Sequence, residues 1–151
     1  MDNALKTDRR LPSPARLLRG RAAVTACPGQ DSCGMCAMAC GFGALKKPGR
    51  LPIVDHDKCI GCGACVKACP RFNMRLVDGS KGDFAEITVK CTLEDLPEQD
   101  AAVRLFDEEG REVGTGTAIQ AYPLPDGRHG IVRFRTGRAL LLTAVRAKKA
   151  E

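Results

Sequence analysis

The sequence predicts an α+β protein in two unlike parts: a duplicated, cysteine-rich region and a small antiparallel β-barrel or sandwich module. Three observations predict it. Eight of the nine cysteines among the 151 residues fall into two runs of four with related spacing. From about Asp83 onward only Cys91 remains, and short segments of alternating apolar and polar residues recur between turn sequences. Apolar residues make up 44 % of the chain and charged residues 28 %, a balance that supports a packed globule and excludes a wholly disordered tail. No apolar run reaches the roughly 18–20 residues of a membrane-spanning helix.

The second run reads Cys59-Ile-Gly-Cys62-Gly-Ala-Cys65-Val-Lys-Ala-Cys69-Pro70. Its spacing, C-x2-C-x2-C-x3-C-P, is the bacterial run for a [4Fe–4S] cluster. The first run has cysteines at Cys27, Cys33, Cys36 and Cys40, spaced C-x5-C-x2-C-x3-C. The last three cysteines of each run match, so the region is a duplicated half. A cubane needs four thiolates converging on its corners, and two-residue gaps in a tight loop turn successive sulfurs toward one centre. Gly61 and Gly63, like Gly34, are expected to let the backbone pass close to the cluster and aim N–H groups at it. The x3 gap places Cys36 and Cys40, or Cys65 and Cys69, at i and i+4 of a short helix. Pro70 ends that helix and frees the chain to extend.

Over residues 22–80 these runs resemble the two-cluster bacterial-type ferredoxins. The resemblance implies a pseudo-twofold, ferredoxin-like dicluster domain, each half a β-hairpin and a short helix. It implies strands at Val24–Ala26 and Ile53–Val54 leading into the runs, with returning partners at Ala44–Leu45 and Met74–Val77. It also implies that the fourth cysteine of each run serves the other cluster. One [4Fe–4S] cluster then takes Cys27, Cys33, Cys36 and Cys69, and the second takes Cys59, Cys62, Cys65 and Cys40. Two departures stand out. Three extra residues separate Cys27 from Cys33, and Gly41 follows Cys40 where the family usually has Pro.

Rival readings of the cysteines fit less well. Structural zinc commonly uses two separated C-x2-C pairs rather than a repeated x2-x2-x3 run. Disulfides conflict with the reducing cytoplasm expected for a chain whose Arg9-Arg10 is followed by Arg16, Arg19 and Arg21 rather than by an apolar leader. A [3Fe–4S] cluster is disfavoured because no cysteine of either run is replaced. Met35 and Met38 are expected to pack around a cluster, and His56 and His129, set among turn residues, to be solvated.

The formal net charge is +6, and it is unevenly spread. Residues 1–24 carry +4 (six basic, two acidic), residues 25–80 carry +3 (seven and four) and residues 81–151 carry −1 (eleven and twelve). The basic N-terminal arm, residues 1–21, is expected to be a solvated or partner-bound extension. A nucleic-acid-binding role is disfavoured by an aromatic content of 4 % and an acidic C-terminal module.

The C-terminal module, residues 83–147, is expected to hold five strands. These are Ala85–Leu93, Ala102–Phe106, Glu112–Ala121, Ile131–Phe134 and Leu140–Val145. Asp107-Glu-Glu-Gly110 and Pro125-Asp-Gly127 supply turns between them. Cys91 falls within the first strand and reads as a small core residue. No catalytic triad or phosphate-binding loop is visible, so the module reads as a docking element. It would be marginal alone, and is expected to pack on the cysteine region or on another subunit. The expected function is a non-catalytic, iron–sulfur electron-transfer subunit of a multi-subunit oxidoreductase, working with a flavoprotein dehydrogenase. A free, diffusible ferredoxin is the alternative.

Overall fold

A computed structural model describes residues 11–29 and 33–150. The chain starts with a single helical turn, α1 (Pro14–Leu17), and a strand, β1 (Ala22–Thr25). Ser13 caps α1 by accepting the Arg16 N–H at 3.1 Å, and Pro14 occupies the first turn, where a missing N–H costs nothing. Helix α2 (Met35–Ala39) and the short hairpin β2 (Leu45–Lys46) and β3 (Ile53–Val54) follow. Then come α3 (Ala64–Ala68), β4 (Met74–Asp78) and β5 (Phe84–Thr92). The remaining strands are β6 (Ala102–Phe106), β7 (Glu112–Pro123), β8 (His129–Gly137) and β9 (Arg146–Lys149).

Seven strands form one antiparallel sheet in the order β1-β4-β5-β8-β7-β6-β9. Among the described residues no sheet closes into a barrel; β1 and β9 stand at the two ends of the order. The strand before the first cysteine run pairs with the strand after the second, with Val24 opposite Arg75. The strand after the first run pairs with the strand before the second, with Leu45 opposite Val54. The two halves of the duplication therefore exchange strands. Across the turn at residues 79–83 the ladder continues, with Leu76 opposite Thr88 and Val77 opposite Ile87. The cysteine region and the C-terminal strands thus share one hydrogen-bonded sheet, which provides the support a segment of that size lacks alone.

Side-chain alternation divides the interior into two cores. Val24, Val77, Ile87, Val89 and Phe134 point to the larger one. Ala23, Leu76 and Ile131 point to the other, where Leu45, Val54, Val66 and Met74 complete the packing and Cys36, Cys40, Cys59 and Cys69 lie against it. Cys91, 4 % exposed, belongs to the larger core.

Several expectations are corrected. Leu140–Val145 is not a strand. Arg138–Leu140 is a 3-10 turn, Thr143 and Ala144 both donate to the Leu140 carbonyl, and the strand lies at β9. Leu140, Leu141 and Leu142 form an unbroken apolar run, which carries no period to separate a strand from a tight turn. Here the turn buries Leu141, Ala144 and Val145. The arm is not wholly solvated. Arg16 and Leu17 are buried, and Gly79 N donates to Leu17 O at 3.1 Å; residues 1–10 lie outside the described residues. His56 is half-buried with Nε2 3.0 Å from Ala23 O. Burial, together with the Arg16 charge, holds its pKa below the ordinary histidine value. His129 pairs with Asp126 at 2.6 Å and meets the Phe72 ring edge-on.

Candidate iron–sulfur site

Two cavities on the helix-bearing side of the sheet gather all eight run cysteines. The first is lined by Cys40, Cys59, Cys62 and Cys65, with Ala23, Leu45, Val54 and Leu76 as apolar wall. The second is lined by Cys27, Cys33, Cys36 and Cys69, with Met35, Pro52, Asn73 and Met74. Each cavity takes three cysteines from one run and the last cysteine of the other. The loop between Cys27 and Cys33 passes through residues 30–32, which lie outside the described residues.

Local backbone geometry explains the crossing. Helix α2 stops at Ala39 and α3 at Ala68, one residue before the last cysteine of each run. Cys40 (φ −80°, ψ 104°) and Cys69 (φ −70°, ψ 116°) are already extended. A continued helix would stack Cys36 with Cys40, and Cys65 with Cys69, on one face. The extended ψ instead leads the chain out of each helix at its fourth cysteine, and that cysteine lines the neighbouring cavity. At Cys69 the cause is Pro70, which disfavours the helical region for its predecessor. Gly41 follows Cys40, and α2 still ends at the same place.

The second loop needs its glycines. Gly61 has φ +73°, and a Cβ added there would sit 2.6 Å from Arg21 Cβ and 2.7 Å from Arg21 O. Gly63, at φ +85°, opens α3. Gly34 departs from the expectation, with φ −135° and open space where a Cβ would go. Gly61→Ala combines a left-handed backbone with a backbone clash, a strain of about 1–3 kcal/mol. It is expected to lower the unfolding midpoint and the bound iron of anaerobically prepared protein. Gly34→Ala is expected to change neither, and equal behaviour of the two variants would refute this account of the loop.

The thiols stand in unlike surroundings. Burial pushes the Cys65 thiol up to about 12, and the nearby sulfurs of Cys59, Cys36, Cys62 and Cys40 add to the rise. Burial raises Cys36 as well, partly offset by the Ala37 N–H, with Cys69, Cys27 and Cys33 adding to the rise. At Cys40 burial also acts against the thiolate, but hydrogen bonds from the backbone at Phe42, Ala44, Leu45 and Gly43 outweigh it, so the pKa falls below the ordinary thiol value. Ala23 N points at Cys59 Sγ (3.4 Å) and Asn73 N at Cys69 Sγ (3.3 Å). Backbone donors of this kind favour the charged form of a sulfur ligand.

These donors fit a polynuclear sulfur-ligated group. None of the nine cysteines is in a disulfide. Among the described residues no three His, Cys, Asp or Glu side chains gather closely enough to hold a single metal ion. A lone tetrahedral zinc, with Zn–S of about 2.3 Å, requires sulfurs about 3.8 Å apart. The cysteines here line two cavities in sets of four. Met35 borders the second cavity, whereas Met38 is 83 % exposed and lines neither cavity.

Two cations near the cavities escaped the sequence reading: Arg16 of α1 and Lys90 of β5. Arg16 donates to the carbonyl of Cys59 at 2.8 Å and Lys90 to that of Cys69 at 3.2 Å. Lys90 stands at a polar position of an alternating strand, which by itself reads as a solvent-facing residue. It is buried where the end of α3 and the chain beyond it, through Cys69 and Phe72, pack on β5.

Comparison with known proteins agrees with the donor set. The 4Fe-4S binding domain family matches residues 52–71. A component of the Na(+)-translocating ferredoxin:NAD(+) oxidoreductase complex of Acetobacterium woodii is 42 % identical over 59 residues, 38 % of this chain and 16 % of that protein. A tetrathionate reductase component of Archaeoglobus fulgidus is 41 % identical over 59 residues, 38 % of this chain and 26 % of that protein. The chain therefore spans about a quarter or less of the length of these two relatives. Putative ferredoxin-3 of Sinorhizobium fredii is 34 % identical over 86 residues, 54 % of this chain and 78 % of the relative. No solved structure matches the chain. Among the described residues no helix is long and apolar enough to cross a membrane. The cysteine runs, the family match around the second of them and a ferredoxin relative aligned over most of its length lead to one conclusion: the chain belongs to the 4Fe–4S ferredoxin family.

Proposed function

We propose that the protein relays single electrons through two [4Fe–4S] clusters, one in each cysteine-lined cavity, as a subunit of a multi-subunit oxidoreductase. The observation that carries this is the pairing of two four-cysteine cavities, each completed by a cysteine of the opposite run. In the first cavity the ligands are Cys40, Cys59, Cys62 and Cys65; in the second they are Cys27, Cys33, Cys36 and Cys69. The clusters supply one-electron chemistry when bound. The chain supplies thiolate ligands, N–H donors at Cys40, Cys59 and Cys69, and apolar walls that limit water. Alternate ligation ties the two sites through α2 and α3, so each helix carries a ligand of one site and delivers the chain to the other. Strand exchange between the halves supports the ferredoxin-like dicluster fold.

The relatives support the setting, because their names place them in oxidoreductase complexes. A flavoprotein dehydrogenase is the partner we infer, since a cysteine-run domain followed by a β tail resembles the small iron–sulfur subunits that accompany such enzymes. A diffusible ferredoxin is the second reading, favoured by the alignment with most of the putative ferredoxin. Purifying the protein anaerobically from its native host separates the two: a stable complex containing flavin is expected, and a lone monomer overturns the subunit reading.

Anaerobically prepared protein is expected to hold about eight iron and eight sulfide per chain, with an absorbance near 400 nm that bleaches on reduction. About four iron per chain would refute the second cluster, and zinc without iron would refute both.

A further inference from the structure

Arg16 and Lys90 belong to the two segments that flank the cysteine region, and both are only 6 % exposed. Their hydrogen-bond partners are all backbone carbonyls. Arg16 donates from Nε to His56 O (2.6 Å), from Nη1 to Gly20 O (3.1 Å), and from Nη2 to Arg21 O (2.8 Å) and Cys59 O (2.8 Å). Lys90 Nζ donates to Lys67 O (2.7 Å) and Cys69 O (3.2 Å), and lies 5.8 Å from the Phe72 ring centre. Among the described residues no carboxylate forms an ion pair with either. Neutral oxygens satisfy the donors but leave a full positive charge out of water, which is costly unless a counter-charge lies near.

The two placements are complementary. Cys59 lines one cavity and Cys69 the other. Each cation touches the backbone of one cysteine of one set only, and each comes from a different flanking segment: α1 of the arm for Cys59, β5 of the C-terminal module for Cys69.

We propose that Arg16 and Lys90 are dedicated counter-charges, Arg16 for the site of Cys40, Cys59, Cys62 and Cys65, and Lys90 for the site of Cys27, Cys33, Cys36 and Cys69. The inference rests on the two-cluster reading. A cubane with four thiolates carries about −2 when oxidised and gains one more negative charge on reduction. A fixed buried cation stabilises the reduced form more than the oxidised form, so it raises the potential of the site it adjoins. Coulomb energy falls with distance, so each cation acts chiefly on its own site. The arm and the β module would then set the two potentials independently. They are positioning elements for electron transfer, beyond any docking role.

The test is a redox titration of the iron-loaded protein, followed by electron paramagnetic resonance. Arg16→Gln and Lys90→Gln keep a neutral donor for the carbonyls and remove the charge. Each is expected to lower one one-electron wave about tenfold in the reduced-to-oxidised ratio at the wild-type midpoint, about 59 mV, and to leave the other wave in place. The double variant is expected to lower both. Arg16→Lys and Lys90→Arg keep the charge and are expected to hold both waves within twofold of wild type. These conservative variants decide the matter should a Gln variant fail to load iron. Unmoved waves in loaded Gln variants, equal movement of both waves in each single variant, or a drop in the charge-conserving variants would overturn the proposal. Failure of the two-cluster reading has a different signature: the unaltered protein would hold fewer than about eight iron.

Discussion

Cys65→Ala is expected to remove at least half of the bound iron, while Cys91→Ala leaves the iron content unchanged. Both thiols are buried, 7 % and 4 % exposed, and burial raises both, to about 12 and about 11. Environment alone does not distinguish them. Position does. Cys65 lies on α3 facing Cys40, Cys59 and Cys62 across a cavity, whereas Cys91 lies in β5 opposite Gly130 and packs in the larger core. As a ligand, Cys65 must give up its proton to the solvent when metal binds; losing it leaves a three-thiolate site. Because α3 also leads into Cys69, which lines the other cavity, loss of the first site is expected to weaken the second. Iron and sulfide analysis of the two variants checks this directly. Full iron in Cys65→Ala, or equal loss in Cys91→Ala, would show that the ligand assignment is wrong.

Phe134→Ala is expected to destabilise the iron-loaded protein by about 3–5 kcal/mol, the usual cost of deleting a fully buried aromatic. Phe134 has no exposed surface and lies in β8, opposite Ile87 on one side and Ala118 on the other. Strand β8 lies next to β5, which carries Lys90 and joins the C-terminal strands to β4 of the cysteine region. Chemical unfolding followed by circular dichroism and by iron release is expected to show both signals moving together. A loss under about 1 kcal/mol, or iron release unaffected by the substitution, would mean that the shared sheet does not couple the two regions.

Much of the site was readable from spacing. The x2-x2-x3 pattern, the repeat and Pro70 are local features, and local features dictate loop and short-helix geometry. The strands β5 to β8 were readable from alternation and the Gly-bearing turns between them, whereas β1 to β4 were expected from the resemblance to the two-cluster ferredoxins. Gly61 and Gly63 were legible because a tight loop around a ligand group demands left-handed backbone. Gly34, in the matching place of the first run, carries the same letter without that demand.

The amino-acid order alone marked eight thiols as candidate cluster ligands, the stop of α3 before Pro70 and the strands β5 to β8, because these depend on neighbours a few residues apart. Only the tertiary structure decided that the C-terminal strands continue the sheet of the cysteine region, that Leu140–Val145 turns rather than extends, and that Arg16 and Lys90 are buried. Those outcomes depend on contacts between distant segments, such as Arg16 with Cys59 across 43 positions and Lys90 with Cys69 across 21. A charged side chain reads as solvated until another element covers it, and no local pattern says which element will.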